Sequence, residues 1–462
     1  MDEPACPGCR ELLKRVAQLE AQVAELTRRL EDALRAGKRQ AAPFRKGPPK
    51  PDPKTPGRKS GDAHGTHAHR PPPPPDQIHE RHDAHLPDAC PHCQGRLAET
   101  GTADQFQTDI PRRPIHRQFI VHIGHCTDCG KRTQGRHPLQ TSDALGVAAS
   151  QVGPDAQAAA TLLHTHAGLS HGKVAGVFDT LFGIKLTRGA SARINLRAAT
   201  RLEPDYRLIL ADVRDSEQVA ADETGWRIGG HPAWLHVWVG GRSTAYAIDS
   251  QRRAEVLERV IGRDWSGILS HDGFASYERF GDATHQQCLA HVLRRARDLL
   301  AAATRGAVRF PRQVIALFTE AIHWRNEVRR GRIAATPDGC EERREAFDDR
   351  LAALLGRPRR VPEQATLARH LWNHFEQWFG FVADPRIEPT NWAAEQAIRP
   401  AVVNRKVWGG NRTAAGAYAQ GVLMSVLETC RRQARSALDY ISDTLRAAGN
   451  LLLPRPVLLP TG

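Results

Sequence analysis

Val219-Ala-Ala-Asp222-Glu-Thr-Gly-Trp-Arg-Ile228, then Ala233-Trp-Leu-His-Val-Trp-Val239, then Ser243-Thr-Ala-Tyr-Ala-Ile248: the fold turns on these three stretches. Each is short and rich in β-branched and aromatic residues, and glycine-bearing turns part them, so they read as an antiparallel meander. A helix is expected next over 254–262, and then a fourth strand, Gly267-Ile-Leu-Ser-His-Asp272, stopped by Gly273.

Three antiparallel strands, a helix and a further strand is the element order of an RNase H-like fold. In that order Asp222 lies on the first strand and Asp272 just after the fourth, on neighbouring strands at the centre of the sheet. Two carboxylates side by side are costly unless a cation neutralises them, and Mg²⁺ prefers carboxylate oxygens together with water and phosphate. This is the logic of a two-metal phosphoryl-transfer site, with ions about 3.5 to 4 Å apart. A third carboxylate is found far downstream in Glu388-Pro-Thr-Asn391-Trp-Ala-Ala-Glu395-Gln-Ala-Ile-Arg399-Pro400, read as a short helix closed by Pro400. Asn391, Glu395 and Arg399 are spaced by four and share a face. Taken alone, that face reads better as an ordinary surface Glu-to-Arg pair, and Asp222 or Asp272 alone reads as a turn aspartate before glycine.

Outside this centre the chain is long and basic. Its 462 residues exceed one ordinary core and suggest about three globular units with linkers. Lys and Arg outnumber Asp and Glu by 65 to 51, a net charge of +14 with a pI near 9.7. A polyanionic partner, nucleic acid first, follows from that balance. A GC-rich genome would also favour arginine, but would not explain the excess over acid. No apolar run approaches the roughly 20 residues that span a bilayer, and Met-Asp-Glu-Pro is not the start of a signal peptide, so a cytoplasmic, nucleoid-associated location is expected. Six of nine cysteines fall in C-x-x-C pairs, Cys6/Cys9, Cys90/Cys93 and Cys126/Cys129, which in a reducing compartment points to metal.

Leu12, Val16, Leu19, Val23, Leu26, Leu30 and Ala33 alternate spacings of four and three, the seam of a short coiled coil and a route to self-association, with one amphipathic helix folded back on its own chain as the less favoured alternative. Residues 37–86 are rich in Pro, His and basic residues and cannot bury a core, which makes them a disordered tether. Cys90-Pro-His-Cys93 and Cys126-Thr-Asp-Cys129 bracket an alternating stretch through Phe106, Ile115, Phe119, Val121 and Ile123, the pattern of a zinc ribbon in which Cys90, Cys93, Cys126 and Cys129 close one tetrahedral Zn²⁺ site. Over 140–215, helices are expected at 156–166, 172–181 and 188–202. Helix, tight turn, helix resembles a helix-turn-helix that would bind DNA, and a purely structural bundle fits nearly as well.

Between Asp272 and Glu395 the chain is much longer than a minimal RNase H fold needs, so residues from about 300 to 385 read as an all-α insertion. Cys288 and His291 open a basic helix through Arg294, Arg295 and Arg297; with two ligands visible, a core thiol and a structural or DNA-facing histidine is the preferred reading over a metal site. Arg399, Arg405, Lys406 and Arg412 are candidate phosphate contacts beside the glutamate helix, and Arg294 and Arg295 of the basic helix are further DNA-binding candidates. Trp226 and Trp408 are expected to pack in the core rather than stack on bases.

The order of heptad helix, basic linker, C-x-x-C pairs, Ala-Asp222-Glu-Thr-Gly-Trp, Ser-His-Asp272-Gly-Phe, Cys288-Leu-Ala-His291-Val-Leu-Arg-Arg and Asn391-x-x-Ala-Glu395-x-x-x-Arg399-Pro, running on through Arg405-Lys-Val-Trp-Gly-Gly-Asn411-Arg412, resembles the IS66 family of insertion-sequence transposases over nearly the whole chain. The resemblance implies a DDE transposase with Asp222, Asp272 and Glu395 as its catalytic carboxylates, holding Mg²⁺ or Mn²⁺. It also implies DNA ends and target DNA as partners, and small accessory proteins encoded by the same element. The expected architecture is a multidomain α/β chain: coiled coil 1–36, linker 37–86, zinc-binding domain 87–138, helical DNA-binding region 140–215, RNase H-like domain 216–445 with its insertion, and tail 446–462. The expected reaction is metal-dependent strand cleavage at the element's ends, then attack of the freed 3′-hydroxyl on target DNA, with no covalent protein intermediate. The competing readings are a nuclease or resolvase on the same fold and a non-catalytic zinc-containing DNA-binding regulator.

Overall fold

The structure is a computed structural model that describes residues 15–16, 18–23, 25–27, 72–108, 114–146, 151–449 and 456–459. The chain divides into two compact units, residues 1–111 and 112–462, a boundary that falls inside the stretch read as one zinc-binding domain. In the first unit the described residues between 15 and 27 are helical, with Val16, Leu19, Val23 and Leu26 all exposed; Leu12, Leu30 and Ala33 of the expected seam, and Cys6 and Cys9, lie outside the described residues.

The two remaining C-x-x-C segments fold into the same turn. The N–H of Gln94 donates to the carbonyl of Cys90 at 2.8 Å, and the N–H of Cys90 to that of Gly95 at 3.0 Å. In the second unit Gly130 donates to Cys126 at 2.9 Å and Cys126 to Lys131 at 2.9 Å. The residue after each second cysteine is left-handed, Gln94 at φ 60° and Gly130 at φ 69°. Backbone N–H groups of His92 and Cys93 hold the Cys90 thiol below its ordinary pKa, and those of Cys129 and Asp128 do the same for Cys126. Among the described residues of the stretch between them, β1 (Ile123–His125) is the one strand; it pairs antiparallel with β2 (Arg132–Gln134), so the second turn caps a hairpin.

Three helices follow: α1 (Pro154–Thr165), α2 (His171–Phe182) and α3 (Arg188–Arg214). Ser170 and Thr187 cap α2 and α3 by accepting from Lys173 and Ala190, and Gly183 at φ 66° ends α2. The third helix runs well past its expected end and through Pro204, because Leu202, Tyr206, Ile209 and Val213 are buried against the sheet beyond. The helical region is therefore continuous with the main core rather than a detached module.

The sheet has five strands: β3 (Gln218–Ile228), β4 (His231–Val239), β5 (Thr244–Asp249), β6 (Ile268–His271) and β7 (Thr284–Gln287), in the order β5-β4-β3-β6-β7. The first three form the expected antiparallel meander, and β6 runs parallel to β3 at the centre. Helix α4 (Ala254–Ile261) makes the crossover to β6. Odd-numbered β3 residues Val219 and Ala221 face one core with α3 and α4. Even-numbered Trp226 faces a second, formed with β4 and the helix that carries Glu395.

After β7 come α5 (Leu289–Ala302) and the expected helical insertion, α6 (Arg309–Arg329), α7 (Pro337–Leu355), α8 (Pro362–Asn373) and the short α9 (Gly380–Ala383). These bury a core of their own around Phe318, Phe347, Trp378 and Phe379. The chain returns as α10 (Trp392–Trp408), α11 (Ala414–Arg432) and α12 (Ala437–Gly449). Pro400 does not close α10 but sits inside it. The missing N–H costs a helical bond, offset by the burial of Ala394, Ala397, Ile398 and Ala401 against β3 and β4. The last segment is also less of a tail than expected: α12 extends to Gly449, and Leu458 and Leu459 are buried in the main core. Among the described residues no helix is long and apolar enough to cross a membrane.

Candidate active site

Parallel pairing of β3 with β6 sets the two aspartates level. Ala220 stands opposite Ser270, so Asp222 and Asp272, each two residues further on, emerge side by side. Each is half-buried and engages one oxygen locally: Asp222 Oδ1 accepts from the N–H of Glu223 at 2.9 Å, and Asp272 Oδ1 from that of Phe274 at 3.0 Å. Gly273, at φ 92°, makes that turn.

Helix α10 delivers the third carboxylate. Asn391, its N-cap, is buried; its side-chain amide donates to the carbonyl of Ala221 at 2.7 Å and its backbone N–H to Cys288 Sγ at 3.2 Å. The expected shared face is thus corrected: Asn391 turns inward as an anchor, because an N-cap residue lies outside the helical backbone geometry. Glu395, one turn later, lines a cleft of about 280 Å³ with Asp222, His291, Arg294, Ile398, Arg399 and Val402. Burial, then Glu223, Asp272 and Glu395, push the Asp222 carboxyl up to about 7. No cationic side chain pairs with Asp222 or Asp272 among the described residues. Asp222, raised by burial and the neighbouring acids and without a counter-charge among the described residues, is the kind of oxygen donor a divalent cation takes, although the carboxylates of Asp222, Asp272 and Glu395 do not all lie within 4.8 Å of one another.

Cys288 and His291 gain the partner that sequence did not reveal. Cys288 Sγ lies 3.9 Å from Glu395 Oε1 and His291 Nδ1 3.8 Å from the same oxygen, and the ligand atoms of all three lie within 4.8 Å of one another. Burial raises the Cys288 thiol, so it is a neutral weak donor to the glutamate while it accepts from Asn391. At 3.8 Å the His291 contact is too long for a hydrogen bond, and Nδ1 is buried without a partner.

Glu223 points to the opposite face of β3 from Asp222 and was not anticipated as part of the site. Its buried carboxylate accepts from Arg252 Nε at 3.1 Å and Tyr277 Oη at 2.7 Å. The Arg252 guanidinium lies over the rings of Trp234, at 4.6 Å, and Phe274, at 3.7 Å. This network ties the chain on either side of Asp272 to β3. An adjacent Asp-Glu pair in a strand was its one sequence signal.

The expected phosphate contacts divide. Arg294 and Arg399 line the cleft. Arg405 is half-buried and donates to Thr224 Oγ1 at 3.3 Å, so it braces β3 instead. Arg295 is exposed outside the cleft, and its charge adds to the burial that lowers the His370 imidazole's pKa. Lys406 and Arg412 are exposed and do not line the cleft. Trp226 and Trp408 pack edge to face, and Trp226 Nε1 donates to Asn411 Oδ1 at 2.7 Å. Gly410, at φ 119°, brings this segment against β3 where a Cβ would meet the carbonyl of Arg227 at 2.5 Å. A wider groove of about 540 Å³ along residues 117–122 and 135–140 lies beside the β1-β2 hairpin and gathers no comparable cluster of acids.

A family model described as the transposase IS66 family matches residues 149–419. An uncharacterized protein of Sinorhizobium fredii, y4qI, is 27% identical over 296 residues, covering 57% of this chain and 53% of that protein. A second from the same organism, y4hP, is 26% identical over 417 residues, covering 81% of this chain and 73% of its own length. This chain thus spans about half the length of the first relative.

Proposed function

The chain belongs to the IS66 family of transposases, and from that premise we propose that its five-stranded core is an RNase H-like DDE domain that cuts DNA at the ends of an insertion sequence and joins the freed ends to target DNA. The observation that carries this reading is the level placement of Asp222 and Asp272 on parallel central strands, with Glu395 brought into the Asp222 cleft by α10.

Asp222, Asp272 and Glu395 are the residues that would hold Mg²⁺ or Mn²⁺. A divalent cation held by these carboxylates would supply charge stabilisation to the attacking and leaving oxygens of an in-line displacement at phosphorus. Arg294 and Arg399 flank the cleft and attract the phosphodiester backbone, their guanidinium forks matching its oxygens. Asn391 and Cys288 hold the first turn of α10 against β3, which keeps Glu395 in the cleft that Asp222 also lines. Glu223, Arg252 and Tyr277 fix the loop that carries Asp272. The two C-x-x-C turns, whose backbone N–H groups favour thiolate at Cys90 and Cys126, are zinc knuckles involving Cys90, Cys93, Cys126 and Cys129. The exposed helical seam through Val16, Leu19, Val23 and Leu26 joins two copies of the chain.

The test is Mg²⁺- or Mn²⁺-dependent cleavage and strand transfer on DNA carrying the element's own ends, comparing the natural chain with Asp272→Ala and Glu395→Ala. Loss of both reactions in each variant with DNA binding intact supports the proposal. Cleavage by the natural chain without joining points instead to a nuclease, and DNA binding with no chemistry to a regulator.

A further inference from the structure

We propose that Trp392 is a stacking platform for a nucleobase unpaired beside the phosphate being cut. This rests on the reading of the Asp222–Glu395 cleft as the place of cleavage.

Trp392 is the first residue of α10 and is 65% exposed, although tryptophan is among the residues most stabilised by burial. Its mount is not a fraying end. The preceding residue, Asn391, is buried and bonded to Ala221 and Cys288, and Pro389 accepts the backbone N–H of Leu289 at 3.0 Å. A rigidly held backbone thus presents an indole that makes no aromatic or cation–π contact among the described residues.

Helical geometry says what lies next to it. Trp392 precedes Glu395 by three residues and Arg399 by seven, so the three share one side of the helix, with about 4.5 Å of rise between the indole's residue and the glutamate. The opposite side, Ala394, Ala397 and Ala401, is buried against the sheet. Val403 continues the exposed stripe at 48%. One face of α10 therefore offers, in order, an aromatic plane, a carboxylate of the cleft and an arginine.

That sequence of chemistry matches a nucleotide at the point of cleavage. Arg399, with Arg294 across the cleft, draws the phosphates, and the neighbouring base, lifted out of its stack, finds a π face. Stacking of this kind tolerates any base, since each has a π face. A second protein surface would leave the flanking arginines without a counter-charge, whereas DNA supplies both the ring and the anions.

The experiment uses the full chain and duplexes carrying the element's ends, with 2-aminopurine next to the cut, in Ca²⁺ for binding and Mg²⁺ for cleavage. The natural chain is expected to give a 2-aminopurine fluorescence change on binding that Trp392→Ala abolishes and Trp392→Phe largely keeps. Cleavage of the paired duplex by Trp392→Ala falls on the order of tenfold to a hundredfold, and a mismatch at that base pair restores most of it, because opening no longer has to be driven. Asp272→Ala keeps the fluorescence change while losing cleavage; if it still cleaves, the catalytic reading fails independently of Trp392. Unchanged cleavage and fluorescence in Trp392→Ala overturn the proposal. So does a loss of self-association by Trp392→Ala in sedimentation with the fluorescence change intact, which assigns the indole to a protein interface.

Discussion

The side-chain amide of Asn391 donates to the carbonyl of Ala221 at 2.7 Å, across 170 residues of sequence, and this bond sets where Glu395 stands relative to Asp222. The donor is on the N-cap of α10, one turn before Glu395, and the acceptor immediately precedes Asp222 on β3. Asn391→Ala leaves that carbonyl without its side-chain donor and should lower stability by about 1–3 kcal/mol. Misplacing Glu395 by as little as 1 Å should lower cleavage about 100-fold. Asn391→Asp, of the same size but without the donor, should behave like the alanine variant. Urea unfolding and a cleavage time course measure the two effects separately; an Asn391→Ala chain that cleaves at the natural rate would remove the anchor from the account.

A cluster of like charges trades stability for chemistry. Asp222 is half-buried, its carboxyl pKa is raised by burial and by Glu223, Asp272 and Glu395, and it has no cationic partner among the described residues. Asp222→Asn relieves that repulsion and should raise the melting temperature in EDTA by several degrees, an effect on the order of 1–2 kcal/mol, while abolishing cleavage. A melting temperature lowered by the substitution would mean that the carboxylate contributes to folding in some other way.

Acid should weaken the fold through a buried histidine outside the cleft. His236 on β4 is buried, and burial holds its pKa at about 4 against the ordinary 6.5; Asp249 raises it while Arg252 and Arg259 lower it. A depressed histidine pKa means that the folded state binds fewer protons than the unfolded chain. Its contribution is therefore full above 6.5 and is lost progressively as pH falls from 6.5 to about 4. Between pH 7 and pH 5 this site alone should lower unfolding free energy by on the order of 1–2 kcal/mol. His236→Gln should show a correspondingly flatter dependence in urea titrations at the two pH values, and an identical slope would exclude the residue as the source.

Much of this was legible in the sequence where period and punctuation agree. Alternating apolar residues with glycine turns gave β3 to β5 and the strand ending at Asp272, and the parallel neighbours then brought the two aspartates level. Strand β7, Thr-His-Gln-Gln, was not legible, because its short run of polar residues has no alternation; Gln286 and Gln287 are buried and satisfied by side chains and carbonyls of the insertion. Pro400 read as a stop and is carried through by burial of its neighbours. The joining of Cys288 to Glu395 spans 107 residues, and no local pattern encodes it.

The two C-x-x-C turns make a separate prediction. Their matching hydrogen bonds, with left-handed Gln94 and Gly130, suit zinc-bound thiolates. The full chain should purify with zinc, measurable by inductively coupled plasma mass spectrometry, and Cys126→Ser should lose it while α10 and the sheet keep their melting transition. Zinc content unaffected by Cys126→Ser would place the metal elsewhere.

The central claim is that Asp222, Asp272 and Glu395 act as one divalent-cation site. A calorimetric titration of Mn²⁺ into the full chain tests it without any knowledge of the DNA ends. A saturable binding event is expected, lost or greatly weakened alike by Asp222→Asn, Asp272→Asn and Glu395→Gln. Variants that fold and bind Mn²⁺ as the natural chain does would contradict it.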